Sequence, residues 1–369
     1  MLGLSLEMLS TVGQSSRLMY GAEYSTEHIR SGRQDLNLTT GVLRTVRGKL
    51  TDRAHYDTMA VYLQDQTDFG KWLTTTAGLR YSRFAASGKE DTSVGQLTLD
   101  SQESQLTGAL SVVFHATPSL NVIANVSKGF RAPNLEDLSV FDERTGGTEV
   151  PNPSLEPESI VMYEIGLKHR SPRLAMSAFL YQSSLNDLLV RSSGLFNGLP
   201  YFDGNDNGVH DPSEPNVLQK MNIGTARIRG AELDFQLRMR PGWTLFGNMT
   251  TTRGDDQTAH EPLSRIPPTF GVLGLRWSSM GPHHPWVDGV LVAAGSQTRI
   301  SSSDRADVRI GADGTDGFKV LNLRSGFSLS ERLRFTLAWE NVFNELYKYH
   351  GSGFYRSESQ FVLGAELKF

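Results

Sequence analysis

Hydrophobic and polar residues alternate along most of this chain. The period of two recurs in roughly fifteen stretches. The first are Leu4–Thr11, Arg17–Ile29, Tyr56–Thr67, Leu73–Ala85, Ser104–Ala116 and Leu120–Phe130. It continues through Ser159–His169, Arg173–Leu189, Val217–Met239, Trp243–Arg253, Thr269–Trp277, Trp286–Gln297, Phe318–Leu329, Leu333–Leu346 and Gln360–Phe369. Most reach about ten residues, the length a tilted strand needs to cross a bilayer. Strands of soluble proteins average about five or six.

The connections sharpen the reading. Short links fall near Val12–Ser15, Phe69–Lys71, Thr117–Ser119, Ser171–Pro172, Pro241–Gly242, Met280–His284 and Glu331–Arg332. Long ones lie between them at Arg30–His55, Ser87–Gln102, Arg131–Glu158, Arg191–Asn216, Gly254–Pro268, Thr298–Gly317 and Tyr347–Ser359. Regular alternation of short and long is the asymmetry of a transmembrane antiparallel β-barrel, with tight turns inside the cell envelope and long loops outside. A sandwich or propeller has no cause to lengthen every second connection.

The phase within strands is equally definite. Leu233, Phe235, Leu237 and Met239 share one face, opposite Asp234, Gln236 and Arg238. Tyr163, Ile165 and Leu167 stand opposite Glu164 and Lys168. A charge on the lipid face at mid-depth costs about 2–4 kcal/mol for Arg or Lys, so the apolar set is expected outward. Tyr81, Trp243, Trp277 and Trp286 near strand ends read as an interfacial girdle.

Composition narrows the class. Apolar content is 38% over 369 residues, without the roughly 18-residue apolar run of a spanning helix. A net charge of −4 with scattered Lys and Arg argues against nucleic acid as a partner. Cysteine is absent, which removes disulfides and thiolate metal sites. Met1–Leu6 lacks the basic start and cleavage site of a signal peptide, so an export signal is expected outside this sequence. The sequence carries no H-E-x-x-H, G-x-S-x-G or G-x-x-x-x-G-K-[ST], and no enzyme is expected.

Two boxes bracket the segment from Ser127 to Lys168. GFRAP at Gly129–Pro133 ends one strand, and NPSLEPE at Asn152–Glu158 precedes the strand YEIGLK at Tyr163–Lys168. Pro133 stops the ladder, while Pro153 and Pro157 hold the returning chain extended. The boxes, their order and their spacing resemble those of TonB-dependent outer-membrane receptors. NVFNELY at Asn341–Tyr347 resembles the penultimate strand end of these receptors. The final strand, with Phe361, Leu363, Ala365, Leu367 and Phe369 in phase, resembles the strand they present to the barrel assembly machinery.

The resemblance implies residence in the Gram-negative outer membrane, in contact with its lipid. It implies uptake of a scarce nutrient such as a ferric siderophore or another chelate, driven through TonB. Residues 1–369 then form the C-terminal part of a barrel of about 22 strands. Its plug and TonB-contacting segment are expected outside this sequence. A passive channel and a surface-binding barrel without active transport stand as alternatives. A His between the boxes, as in haem receptors of the family, is missing from Arg131–Asn152.

Three groups of residues are candidates for binding. Arg131, at the strand exit, could attract an anionic ligand or simply pair with Glu136, Asp137 or Glu158. Tyr349, Tyr355 and Arg356 lie in a final loop that also holds Tyr347, His350 and Phe354, suited to gripping an extracellular small molecule. Asp203–Glu214 reads DGNDNGVHDPSE and fills a twelve-residue calcium-loop pattern. Asp203, Asn205, Asn207, Val209 by its carbonyl, Asp211 and Glu214 would bind Ca2+, with Gly208 at the sharp turn. The same residues would otherwise form an Asx-rich surface turn.

Overall fold

The computed structural model describes residues 1–92, 95–144, 146–204, 207–281 and 283–368. Among the described residues fifteen strands make one antiparallel wall, each hydrogen-bonded to its sequence neighbours. They are β1 Leu2–Val12, β2 Ser16–Ile29, β3 Ala54–Phe69, β4 Leu73–Thr92, β5 Gly95–Thr117, β6 Leu120–Arg131, β7 Glu158–Arg170 and β8 Leu174–Ser193. The wall continues as β9 Val217–Arg240, β10 Trp243–Asp256, β11 Phe270–Ser278, β12 Trp286–Ala294, β13 Phe318–Ser328, β14 Leu333–Glu340 and β15 Gln360–Leu367. β1 and β15 each pair on one side only, so the wall is an open barrel sheet. No described helix is long and apolar enough to cross a membrane; the strands do so instead.

Register confirms the two faces. Leu167, Ala178, Leu233 and Met249 stand side by side on β7 to β10, forming an outward apolar row. The opposite face carries Glu164, whose Oε1 accepts from Asn125 Nδ2 at 2.6 Å, and Asp234 between Ser177 and Asn248. Arg80 and Glu23 pair inward at 2.6 Å, and Asp288 receives Arg324 at 2.9 Å. Charge is thus satisfied inside the wall, where water and partners are available, and kept off the lipid face at mid-depth.

Inward aromatic rings lie over glycines of the neighbouring strand. A Cβ on Gly166 would sit 2.2 Å from the Phe179 ring, and one on Gly274 would sit 2.2 Å from Phe246. Tyr62 covers Gly21 and Tyr181 covers Gly230 in the same way. Each glycine leaves a slot that lets a bulky side chain lie flat against the curved sheet, a device that also fixes register.

Three expectations need correction. The segment Ser87–Gln102 is not an open loop: β4 and β5 stay paired from Ser87–Asp100 out to Thr92–Gly95. Polar residues on both faces are permitted there because those hairpin arms rise beyond lipid, and the backbone ladder needs no apolar phase. β14 stops at Glu340, before the NVFNELY box begins, and within the box Asn341 and Asn344 take positive φ values of 51° and 54°. Trp286 does not join the girdle. It shares the inward face with Asp288 and lies beneath the Arg276 guanidinium, 4.1 Å from its ring centre. Phe369, the last residue of the expected final strand, lies outside the described residues.

The outer connections carry their own structure. Helices α1 Leu135–Ser139 and α2 Ser302–Ala306 each begin with a capping box, Asn134 with Asp137 and Ser301 with Asp304. Leu135 and Leu138 of α1 pack with Leu155, Ala54, Ala86 and Leu99 in a small buried cluster. Leu155 belongs to the second sequence box, so this contact packs that box on α1, while the two boxes themselves meet where Arg131 of β6 pairs with Glu158 of β7.

Candidate ligand site at the outer mouth

Strand register brings Thr250, Phe270, Ala294 and Phe318 into one inward row near the outer ends of β10 to β13. The final outer loop folds over this row. Tyr347 packs on Phe318 with ring centres 4.4 Å apart, and Tyr349 reaches both Phe318 and Phe270 at 5.4 and 6.1 Å. Phe270, Phe318 and Tyr349, with Thr315, Asp316, Lys348 and His350, line a mostly apolar cavity of about 380 Å³. That size suits a compact ligand or the planar part of a larger one.

Neighbouring loops hold the cavity in place. Asp304 of α2 is buried and accepts from Ser264 Oγ at 2.7 Å and from the Arg265 amide. Burial opposes its charge, but those donors and Ser301 hold its carboxyl below the usual range. Gln297 Nε2 donates to the Ile266 carbonyl at 2.8 Å, tying the β12 exit to the β10–β11 loop.

His350 is the site's most unusual polar group. Its Nδ1 lies 3.0 Å from Thr315 Oγ1, while Nε2 is shielded from solvent and has no hydrogen-bond partner among the described residues. Burial lowers its pKa, so the ring is neutral at pH 7. Two cations cap the aromatic loop. Arg356 lies over Tyr349 at 4.8 Å and Lys348 over Tyr355 at 5.5 Å. The arrangement combines stacking faces, a neutral imidazole, the Asp316 carboxylate and positive charge at the rim.

The structure sorts the other candidates. Tyr349 lines the cavity, Arg356 touches it through the Tyr349 ring, and Tyr355 stands exposed outside it. Arg131 does not line the cavity. Its guanidinium pairs with Glu158 and with Asp137 at 2.6 Å, and Lys220 reaches the other oxygen of Asp137 at 2.7 Å. Asp137 is penalised by burial, yet Lys220, the Asn134 amide and Arg131 outweigh this and keep it ionised.

In the loop after β8, Asp203 accepts from the amides of Asn207 at 3.2 Å and Gly208 at 2.6 Å. Val209 donates its amide to Asn207 Oδ1, and Asn207 Nδ2 reaches Asp211 at 3.3 Å. Glu214 accepts from Gly204 and Asp211, which closes the twelve-residue ring, and Gly208 adopts a φ of 73°. Asn205 lies outside the described residues. Among the described residues no group of three or more His, Cys, Asp or Glu gathers as a metal site. The Tyr201 hydroxyl is pushed up by burial and by the charges of Asp203, Glu214 and Asp211.

Phe270 and Phe318 escaped sequence reasoning. Their alternation assigns a face, but nothing local shows that their row ends beneath the last loop.

The family described as TonB dependent receptor-like, beta-barrel, matches residues 2–342. The chain belongs to this family. Members of the TonB-dependent receptor family are β-barrels of the Gram-negative outer membrane, and that is where this wall resides. Over 296 residues it is 26% identical to heme/hemopexin utilization protein C of Haemophilus influenzae, covering 75% of this chain and 38% of that protein. It is 27% identical to metal-pseudopaline receptor CntO of Pseudomonas aeruginosa, over 53% of this chain and 24% of the receptor. The copper transporter OprC has the same fold, with a TM-score of 0.75 and 16% identity, over 100% of this chain and 56% of its own. The FrpB iron transporter from Neisseria meningitidis aligns with a TM-score of 0.71 at 16% identity, over 100% of this chain and 55% of its own. The chain therefore spans less than two thirds of the relatives it matches, and those relatives are transport receptors.

Proposed function

We propose that the protein containing this chain takes up a nutrient chelate of iron or another metal across the outer membrane, driven by TonB. The observation that carries this reading is the inward cavity under the final loop, which Phe270, Phe318, Tyr349 and His350 line together. Stacking faces suit the aromatic or macrocyclic part of a chelate, and Lys348 and Arg356 favour an anionic one. The names of the relatives, heme/hemopexin utilization and metal-pseudopaline receptors, support the same ligand class. TonB would be contacted by a segment outside this sequence. The unpaired edge of β15 suits delivery to the barrel assembly machinery, and the outward apolar rows suit outer-membrane lipid.

The test is binding and growth together. Haemin and a ferric catecholate serve as probes of the protein in detergent, read by quenching of its intrinsic fluorescence. Growth on each as sole iron source is read in the producing cell. The reading expects one probe to bind, Tyr349→Ala to weaken it at least about tenfold, and growth to need TonB. Absence of both binding and TonB-dependent growth would contradict it.

The proposal includes Ca2+ at Asp203–Glu214. Its support is the closed ring, in which Glu214 reaches the amide next to Asp203, and the negative potential felt by Tyr201. The carboxylates bind backbone amides in this arrangement, so calcium would reorient them toward one centre. Protease cutting between Arg191 and Asn216 should slow with calcium; equal cutting in chelator removes the idea.

A further inference from the structure

The outward face is apolar at mid-height, yet near the outer rim it turns basic. Two adjacent rows cross β6 to β10 there. One runs Lys128, Val161, Ser184, Arg227 and Asp255; the row beneath runs Val126, Tyr163, Gln182, Arg229 and Arg253. The next rows down return to Ile165, Leu180 and Ala231, then Leu167, Ala178 and Leu233, so the basic rows sit directly above the apolar band. Lys128, Arg227, Arg229 and Arg253 are all exposed.

Their charge is not balanced by protein. Asp255 is the shared carboxylate: Arg253 approaches it at 3.5 Å, Arg229 at 4.0 Å, and Arg299 from the β12–β13 loop binds its other oxygen. Arg227 makes no ion pair among the described residues. Three guanidinium groups thus share one carboxylate, and Arg227 and Lys128 stand in its row without one of their own among the described residues. Like charges held this close repel unless an anion joins them. Guanidinium forks match phosphate oxygens in paired hydrogen bonds, and the rows lie at the depth of lipid headgroups.

We infer that Arg227, Arg229 and Arg253, with Lys128 three strands away in the same row, form a binding site for the phosphates of an anionic outer-leaflet lipid. Its acyl chains would lie along the apolar rows of Ile165, Leu180 and Leu233. The site is on the outer surface of the wall and does not depend on the cavity or its ligand.

The protein is extracted from outer membranes in mild detergent, and retained lipid A is counted by native mass spectrometry. The intact protein should keep lipid A, and the triple substitution Arg227→Gln, Arg229→Gln, Arg253→Gln should lower retention at least fivefold. Arg83→Gln, an exposed position outside this patch, should change it little. Lipid A stripped of its phosphates should not rebind, and excess inorganic phosphate should displace bound lipid only weakly. Equal retention in the triple variant would overturn the site. Equal rebinding of dephosphorylated lipid would do so too, and full displacement by inorganic phosphate would reassign it to a free anion. If the triple variant fails to assemble, Arg227→Gln alone carries the test, with a loss of at least twofold expected and no loss contradicting it.

Discussion

Arg131 and Glu158 face each other across β6 and β7 and join the two sequence boxes by an ion pair at the rim of the wall. The same guanidinium extends to buried Asp137 at the start of α1, and Glu158 also accepts from the Leu189 amide at 2.7 Å. One arginine therefore ties strand exit, loop helix and returning strand together. Each box supplies half of a charged clamp, Arg131 from the first and Glu158 from the second, and Leu155 of the second also packs on Leu135 of the intervening helix.

Replacing Arg131 with Ala should open the 132–157 segment without dismantling the wall. Asp137 would lose one of two cationic partners, at a cost of about 1–3 kcal/mol in local stability. Hydrogen exchange of α1 should rise accordingly. Arg131→Lys should recover only part, since an ammonium cannot span both carboxylates as the planar fork does.

Acid should loosen the same segment. The carboxyl of Asp137 is held below its unfolded value near 3.8, so its ion pairs contribute fully above that pH. That contribution disappears as pH falls from the unfolded value through the lower folded one. Exchange protection over Leu135–Ser139 should be flat from pH 7 to about 5 and decline below about 4. Asp137→Asn should abolish this decline.

His350 responds over a different window. Burial depresses its folded pKa beneath 6.5, so the neutral ring favours the folded loop above that value. Its contribution is lost as pH falls from 6.5 toward the folded pKa. Chelate affinity and order in the 341–359 loop should decline together in this range. His350→Gln should flatten the pH profile, as measured by probe binding between pH 7.5 and 5.

The glycine slots predict coupled substitutions. Gly166→Ala drives a methyl into the Phe179 ring and should cost about 1–3 kcal/mol in denaturant unfolding from lipid vesicles. Phe179→Ala in the same chain should relieve most of that clash, so the pair should be less than additive.

Most of the wall was legible because lipid enforces alternation. Glu164 and Asp234 could face only one way once Tyr163, Ile165, Leu233 and Phe235 were assigned to oil. Outside the membrane that constraint lapses, and reading failed where it lapsed. The paired arms around Ser87–Asp100 carry only a short apolar phase at Leu97 and Leu99, too brief to mark a strand, and the turn at Asn341 depends on a left-handed asparagine inside an otherwise alternating run. Residue type alone suggests an interfacial Trp286, but its phase with Asp288 two residues on turns it inward. The final loop announced aromatic character, but Phe270 and Phe318 join it only through strand order. Asn134 with Asp137 and Ser301 with Asp304 are cap signals that could have revealed both loop helices.

The most direct test of the wall exploits a sequence without cysteine. Single cysteines introduced in turn at 163, 164, 165, 233 and 234 would be challenged in intact membranes with a water-soluble maleimide and a lipid-confined quencher. Positions 164 and 234 should react with the aqueous reagent and escape the quencher, while 163, 165 and 233 should do the reverse. Uniform labelling along both segments, or quenching at 164 and 234, would contradict a wall with lipid on one face and water on the other.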